Sequence, residues 1–129
     1  MTPHRGNSGT VELTVADADT AISMGSGDVP VLASPRVVAL CEQAAVAALN
    51  GQLAVGDTSV GLAIDLKHFA PTTVGSVVVA EAGLDAVDGR RLTFTCRVTD
   101  TATGREVARG RHVRVVVNLE QFLQKAGTE

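Results

Sequence analysis

The sequence predicts an α+β fold, with one long apolar helix packed against a single antiparallel sheet of five strands. Three observations carry this expectation. Residues 31–51, VLASPRVVALCEQAAVAALNG, join a helix start, an apolar body and a helix stop. Most of the remaining chain falls into strand-length runs that alternate apolar and polar residues. Only one helix is long enough to form a layer, so the sheet must wrap around it to bury its own apolar face.

Residues 1–9, MTPHRGNSG, are polar and rich in turn formers. They read as a flexible tail, and residues 10–129 as one domain. Residues 10–15, TVELTV, alternate and give the first strand. Extended structure is expected to resume around residues 21–24. The GSGD run that follows is a loop; it lacks the lysine and hydroxyl spacing of a phosphate-binding loop.

The helix comes next. Ser34-Pro35 marks its start, because a serine hydroxyl can accept from a free first-turn N–H and proline has no N–H to leave unpaired. Asn50-Gly51 marks its end, since both residues tolerate left-handed geometry. Arg36, Gln43 and Asn50 recur at every seventh position and form a solvated stripe. Glu42 lies off that stripe. Its helical neighbours are Val38, Ala39, Ala45, Val46 and Leu49. A carboxylate in such company loses hydration, at a cost of roughly several kcal/mol unless it is paired. Glu42 is therefore either a flanking residue that reaches water on its flexible stem or a carboxylate with a chemical role.

Four strands follow. In residues 58–68, TSVGLAIDLKH, alternation sends Val60, Leu62, Ile64 and Leu66 to one face and Gly61, Ala63, Asp65 and Lys67 to the other. His68 shares the parity of the apolar set. Residues 70–75 turn the chain, and residues 76–87 form a long strand. Asp88-Gly89 is a two-residue hairpin signal, with residues 90–100 returning. Here Leu92, Phe94, Cys96 and Val98 face one side. The last strand spans residues 105–117, and Gly110 within it marks a bulge or a close approach. Residues 119–126 read as a short terminal helix.

Composition narrows the function. Aromatic residues make up 2% of the chain and the net charge is −3, which argues against nucleic-acid binding and against an anionic membrane surface. Cys41 and Cys96 belong to no Cys/His cluster and read as free core thiols of a cytoplasmic protein. No ~20-residue apolar span is present, and no His/Cys/Asp grouping has metal-ligand spacing.

Several segments, taken together and in order, resemble the hotdog-fold acyl-CoA thioesterases, in particular the fluoroacetyl-CoA-specific thioesterase-like group. They are GSGDVPVLASP (residues 25–35), LCEQAA (40–45), TSVGLAIDLKHFAPTTVG (58–75), VDGRRLTF (87–94) and GRHVRVVVNLEQF (110–122). The resemblance implies a hotdog fold, a homodimer, acyl-CoA as substrate and no cofactor beyond the coenzyme A of that substrate. It implies Ser34, Glu42 and His68 as the catalytic constellation, and Gly61, His112 and Arg114 as substrate-binding positions. The family more usually carries threonine at the position of Ser34 and at that of Arg111. The segment before the helix contains no aromatic residue, so fluoroacetyl specificity is not carried over.

These residue types suit thioester hydrolysis. A helix N-terminus and a hydroxyl can polarise the carbonyl. Glu42 can act as a base toward water or as a nucleophile, and His68 can orient water or move a proton. Ser34 alone would be an ordinary helix cap, and a lone His68 or His112 is more often structural. The alternative is a non-catalytic acyl-CoA or small-ligand binding protein on the same fold. A hotdog dehydratase would need a different catalytic pair.

Overall fold

The structure is a computed structural model, and it describes residues 2–127. Five strands form one antiparallel sheet: β1 (Ser8–Thr14), β2 (Asp57–His68), β3 (Val77–Asp88), β4 (Arg91–Asp100) and β5 (Glu106–Asn118). Their spatial order is β1-β3-β4-β5-β2, so β1 and β2 are the two edges. Three α-helices accompany them among the described residues, α1 (Ala21–Met24), α2 (Ser34–Ala48) and α3 (Leu119–Gly127), with a short 3-10 helix at Asp17–Asp19. This is the expected α+β architecture, with a curled sheet packed against one long helix.

The helix α2 buries Val37, Leu40, Cys41, Ala44, Ala45 and Ala48. These meet Leu92, Phe94, Cys96 and Val98, the predicted inward set of β4. Burying a side chain such as Leu40 or Val37 contributes about 1.5–3 kcal/mol, so this face fixes the helix on the sheet. Small residues set the approach. A side chain at Gly9 of β1 would run into the backbone of α2 at Ala44, Ala47 and Ala48. Gly110 of β5 is a close approach of the predicted kind, since a Cβ there would fall on the Asp65 carbonyl of β2.

Several local expectations are corrected. The first strand begins at Ser8, before the expected Thr10. Residues 21–24 form a single helical turn instead of extended chain. Thr20 caps it, accepting from the Ser23 N–H at 3.3 Å, and Gly25 ends it at φ +72°. The hairpin loop is Gly89-Arg90, one residue later than predicted, because Asp88 pairs with Arg91 and the positive φ of +60° falls on Gly89. The largest correction is in β2. Its register with β5 shifts between Gly61 and Ala63, so Leu62 is an extra, bulged residue. Ile64, Leu66 and His68 keep the predicted face. Before the bulge the parity inverts, which turns Gly61 toward α2 and leaves Leu62 55% exposed.

Candidate functional site

Ser34 is the first residue of α2, not its cap. Ala33 holds the cap position and makes no side-chain cap bond. The Ser34 hydroxyl instead shares a 2.8 Å hydrogen bond with Nδ1 of His68, at the end of β2. The segment ahead of α2 and the loop after β2 are tied together, with the Leu32 N–H donating to the Thr72 carbonyl and Val31 bridging Thr73. Arg36 and Asp19 pin the helix start from the other side, at 3.0 Å. Pro35 has no N–H and the Arg36 N–H already donates to Ala33, which leaves the Ser34 N–H as the donor of the first three helical positions.

His68 is half-buried. Its Nε2 is shielded from solvent and makes no hydrogen bond among the described residues. Burial pushes its pKa below the ordinary 6.5, and contact with the Ala70 backbone opposes this in part. Its Nδ1 is the nitrogen engaged with Ser34, and Nε2 is the nitrogen left without a hydrogen bond among the described residues.

Glu42 lies eight residues beyond Ser34, about 12 Å along the helix axis. Its company is not apolar. The side chain is 43% exposed, and Oε2 lies 3.7 Å from Nη1 of Arg114. Gly61 sits directly opposite: a Cβ at that position would lie 2.8 Å from Glu42 Oε2. The absent side chain of Gly61 is therefore what admits the carboxylate.

Arg114 and His112 project inward from β5 and are 7% and 1% exposed. His112 donates from Nδ1 to the Ala63 carbonyl at 2.8 Å. Its Nε2 is thereby left as an acceptor and receives Arg114 Nη1 at 3.0 Å. Burial lowers the His112 pKa most; the Ala63 bond opposes this, Arg114 adds to it, and Glu42 opposes it. Arg114 also donates to Ser59, from Nε to Oγ at 2.8 Å and from Nη2 to the carbonyl at 3.0 Å.

The predicted residues thus fall into two groups within one chain. Ser34 meets His68 at the helix start, while Glu42, Gly61, His112 and Arg114 gather eight residues further on. Ser59 was not singled out from the sequence. Its signal is the i, i+2 relation to Gly61, which places both on one face of β2.

A profile of the family described as FlK, fluoroacetyl-CoA-specific thioesterase, matches residues 15–120. The fluoroacetyl-CoA thioesterase of Streptantibioticus cattleyicolor is 38% identical over 95 residues, covering 74% of this chain and 67% of that one. A solved structure of the fluoroacetyl-CoA thioesterase FlK superposes with a TM-score of 0.88 at 31% identity, over 98% of this chain and 96% of that one. A variant of the same enzyme, solved in complex with acetyl-CoA, gives 0.88 at 32% identity over 96% of each chain. A thioesterase superfamily member from Thermus thermophilus shares the fold, with a TM-score of 0.90 at 20% identity over 98% of this chain and 93% of that one. The fold is the hotdog fold, and the chain belongs to the fluoroacetyl-CoA-specific thioesterase family of thioester hydrolases.

Proposed function

We propose that this protein hydrolyses small or medium acyl-CoA thioesters at a site built from two copies of the chain. The observation that carries this reading is the Ser34–His68 hydrogen bond at the mouth of α2, set apart from Glu42 by two helical turns. A thioester carbonyl placed there meets the Ser34 hydroxyl, the Ser34 N–H and the positive end of the helix. His68 holds the hydroxyl in position. Glu42 then delivers the attacking oxygen, either by taking a proton from water or by attacking directly to give an anhydride that water opens. The tetrahedral intermediate collapses, the C–S bond breaks, and coenzyme A leaves as a low-pKa thiolate that needs no strong acid. In this scheme the protein requires no cofactor beyond the coenzyme A of its substrate.

A separation of about 12 Å is too long for Ser34 and Glu42 of one chain to act on one carbonyl. A second copy resolves this. The unpaired edge of β2 runs beside the half-exposed face of α2, where Val38, Ala39, Glu42 and Val46 lie, and Val46 is 50% exposed. A two-fold pairing along this edge covers those residues and Leu62, and brings Glu42 of the partner subunit toward Ser34 and His68. The two free, buried thiols fit a reducing compartment such as the cytoplasm.

The test is an acyl-CoA panel from acetyl to decanoyl with a thiol-trapping dye, run beside Glu42→Gln. Turnover of at least one ester is expected, with a loss on the order of 100-fold in the variant. Saturable binding of CoA esters without thiol release would instead establish the non-catalytic binding protein.

A further inference from the structure

We infer that Thr72 is a positioning residue: its buried hydroxyl, through one bound water, holds His68 in the tautomer protonated on Nδ1, and so leaves the Ser34 hydroxyl proton free for the thioester carbonyl. The inference rests on the reading of Ser34 as the hydroxyl that polarises that carbonyl.

Two buried side-chain polar atoms have no hydrogen-bond partner among the described residues, His68 Nε2 and Thr72 Oγ1. Both belong to one short loop. The inward parity of β2 continues past its end, so that His68, Ala70 and Thr72 turn inward while Phe69, Pro71 and Thr73 are exposed. The chain bends at Ala70, where the Phe69 and Ala70 N–H groups converge on the Val107 carbonyl at 3.0 and 3.3 Å. Both residues also meet the start of α2. His68 reaches Ser34, and the Thr72 carbonyl accepts from Leu32 at 2.9 Å. Those two contacts lie two residues apart in extended chain, about 7 Å, a span that one water between two side chains can close. Thr72 is 2% exposed, and Pro71 and the Val31–Thr73 bridge hold its backbone in place. A hydroxyl buried to this degree is rarely left without a partner, and one ordered water commonly joins two or three such groups.

The number of donors sets the direction of these bonds. Burial holds the His68 pKa below 6.5, so at pH 7 the ring carries one proton. The Ala70 backbone raises that pKa, which a carbonyl does and an N–H does not, so this carbonyl also lies against the imidazole. With the proton on Nδ1, every donor finds an acceptor. Nδ1–H donates to Ser34 Oγ across the 2.8 Å contact. Thr72 donates to the water, and the water donates to Nε2 and to the Ala70 carbonyl. With the proton on Nε2, the ring and Thr72 both donate to the water, and one of its two protons finds no acceptor in this group. The Ser34 proton is then drawn to Nδ1 and away from substrate.

The experiment reads the tautomer directly, from the imidazole nitrogen-15 shifts of protein labelled at histidine, with His68 assigned by its loss in His68→Gln. Thiol release gives kcat and KM on the same samples. Thr72→Val and Thr72→Ser are each made in the wild-type and the Ser34→Ala backgrounds. Wild-type His68 should be protonated on Nδ1 and bare on Nε2. Thr72→Val should shift the ring toward the Nε2–H form and lower kcat by about tenfold, with KM changed by less than about threefold, because one neutral hydrogen bond sets the balance. Thr72→Ser keeps the hydroxyl and should keep the Nδ1–H form, with kcat within about threefold of wild type. In the Ser34→Ala background Thr72→Val should cost little more, because the proton being freed is gone.

A wild-type His68 protonated on Nε2 would overturn the proposal. So would a folded Thr72→Val protein with an unchanged tautomer or a wild-type kcat, a loss fully additive with that of Ser34→Ala, or a Thr72→Ser protein as impaired as Thr72→Val. If Thr72→Val does not fold, Thr72→Ala is read in the same way. Failure of the underlying reading looks different: Ser34→Ala would itself keep full rate while the tautomer still follows Thr72.

Discussion

Adding one methyl group at Gly61 should move the Glu42 carboxylate and leave the fold intact. The Cβ of Gly61→Ala would lie 2.8 Å from Glu42 Oε2, 3.4 Å from His112 Cε1 and 3.7 Å from Arg114 Nη1. The last two are ordinary contacts, so the strain falls on the carboxylate. To regain a normal separation Oε2 must retreat by about 0.6 Å, and it can, because it is the far end of a flexible, half-exposed side chain. The backbone does not object. Gly61 is outside the positive-φ set, and alanine in a strand is favoured over glycine by about 0.5–1 kcal/mol. The melting temperature should therefore hold or rise slightly. Activity should not hold, since displacements approaching 1 Å at a reacting group cost up to about a hundredfold, which puts the expected loss in kcat at about tenfold or more. Thiol-release kinetics and a circular-dichroism melt measure the two quantities on one preparation. A folded Gly61→Ala protein with wild-type kcat would refute the role given to the Glu42–Gly61 contact.

Other consequences are simpler to read. Gly110→Ala places its Cβ on the β2 backbone at Asp65 and Leu66, which cannot swing aside, so it should destabilise by about 1–3 kcal/mol in urea unfolding. Both His68 and His112 are pushed below 6.5 by burial, so the unfolded chain binds protons that the folded one refuses. Their contribution to stability is present above that value and lost as pH falls through it toward the folded values; the urea midpoint should drop between about pH 7 and pH 5, less steeply in His112→Gln. Cys41 and Cys96 are 0% and 1% exposed, and the Cys41 thiol is pushed upward by the neighbouring Cys96 and by burial. Neither should react with an aromatic disulfide reagent until denaturant is added, when both should.

Much of this fold was legible because its signals are local. Ser34-Pro35 and Asn50-Gly51 bracket the helix, and the alternation of Leu92, Phe94, Cys96 and Val98 places β4 correctly. Gly110 declared its close approach. What could not be read depends on register between distant segments. Ser34 reads as a helix cap, but Ala33 holds the cap position, and the Ser34 hydroxyl pairs with His68, 34 residues later, where the loop after β2 packs on the helix start. The bulge at Leu62 is invisible in a single strand, because Val60, Leu62 and Ile64 look in phase until β5 supplies the partner that shifts. That one extra residue moved Gly61 and Ser59 to the helix side.

The same limit applies to the candidate site. Glu42 stood out because an apolar helical face has no use for a carboxylate. Its actual neighbour, Arg114, stands between Val113 and Val115 in the last strand and entered the sequence reading only through the family resemblance. Its inward parity with His112 and Val116 was the available clue. Reading Glu42 as desolvated was therefore incomplete: the side chain keeps contact with solvent on one side and a buried cation on the other.

The central claim is that Ser34 and His68 of one subunit act with Glu42 of another. Subunit mixing tests it most directly. His68→Ala and Glu42→Gln proteins, each nearly inactive alone, are unfolded together in equal amounts and refolded. With shared sites, half the dimers are mixed and each mixed dimer regains one intact site, so thiol release should return to about one quarter of the wild-type rate. If the mixture stays as inactive as its components while mixed dimers are shown to form, the three residues act within a single chain and the account is contradicted.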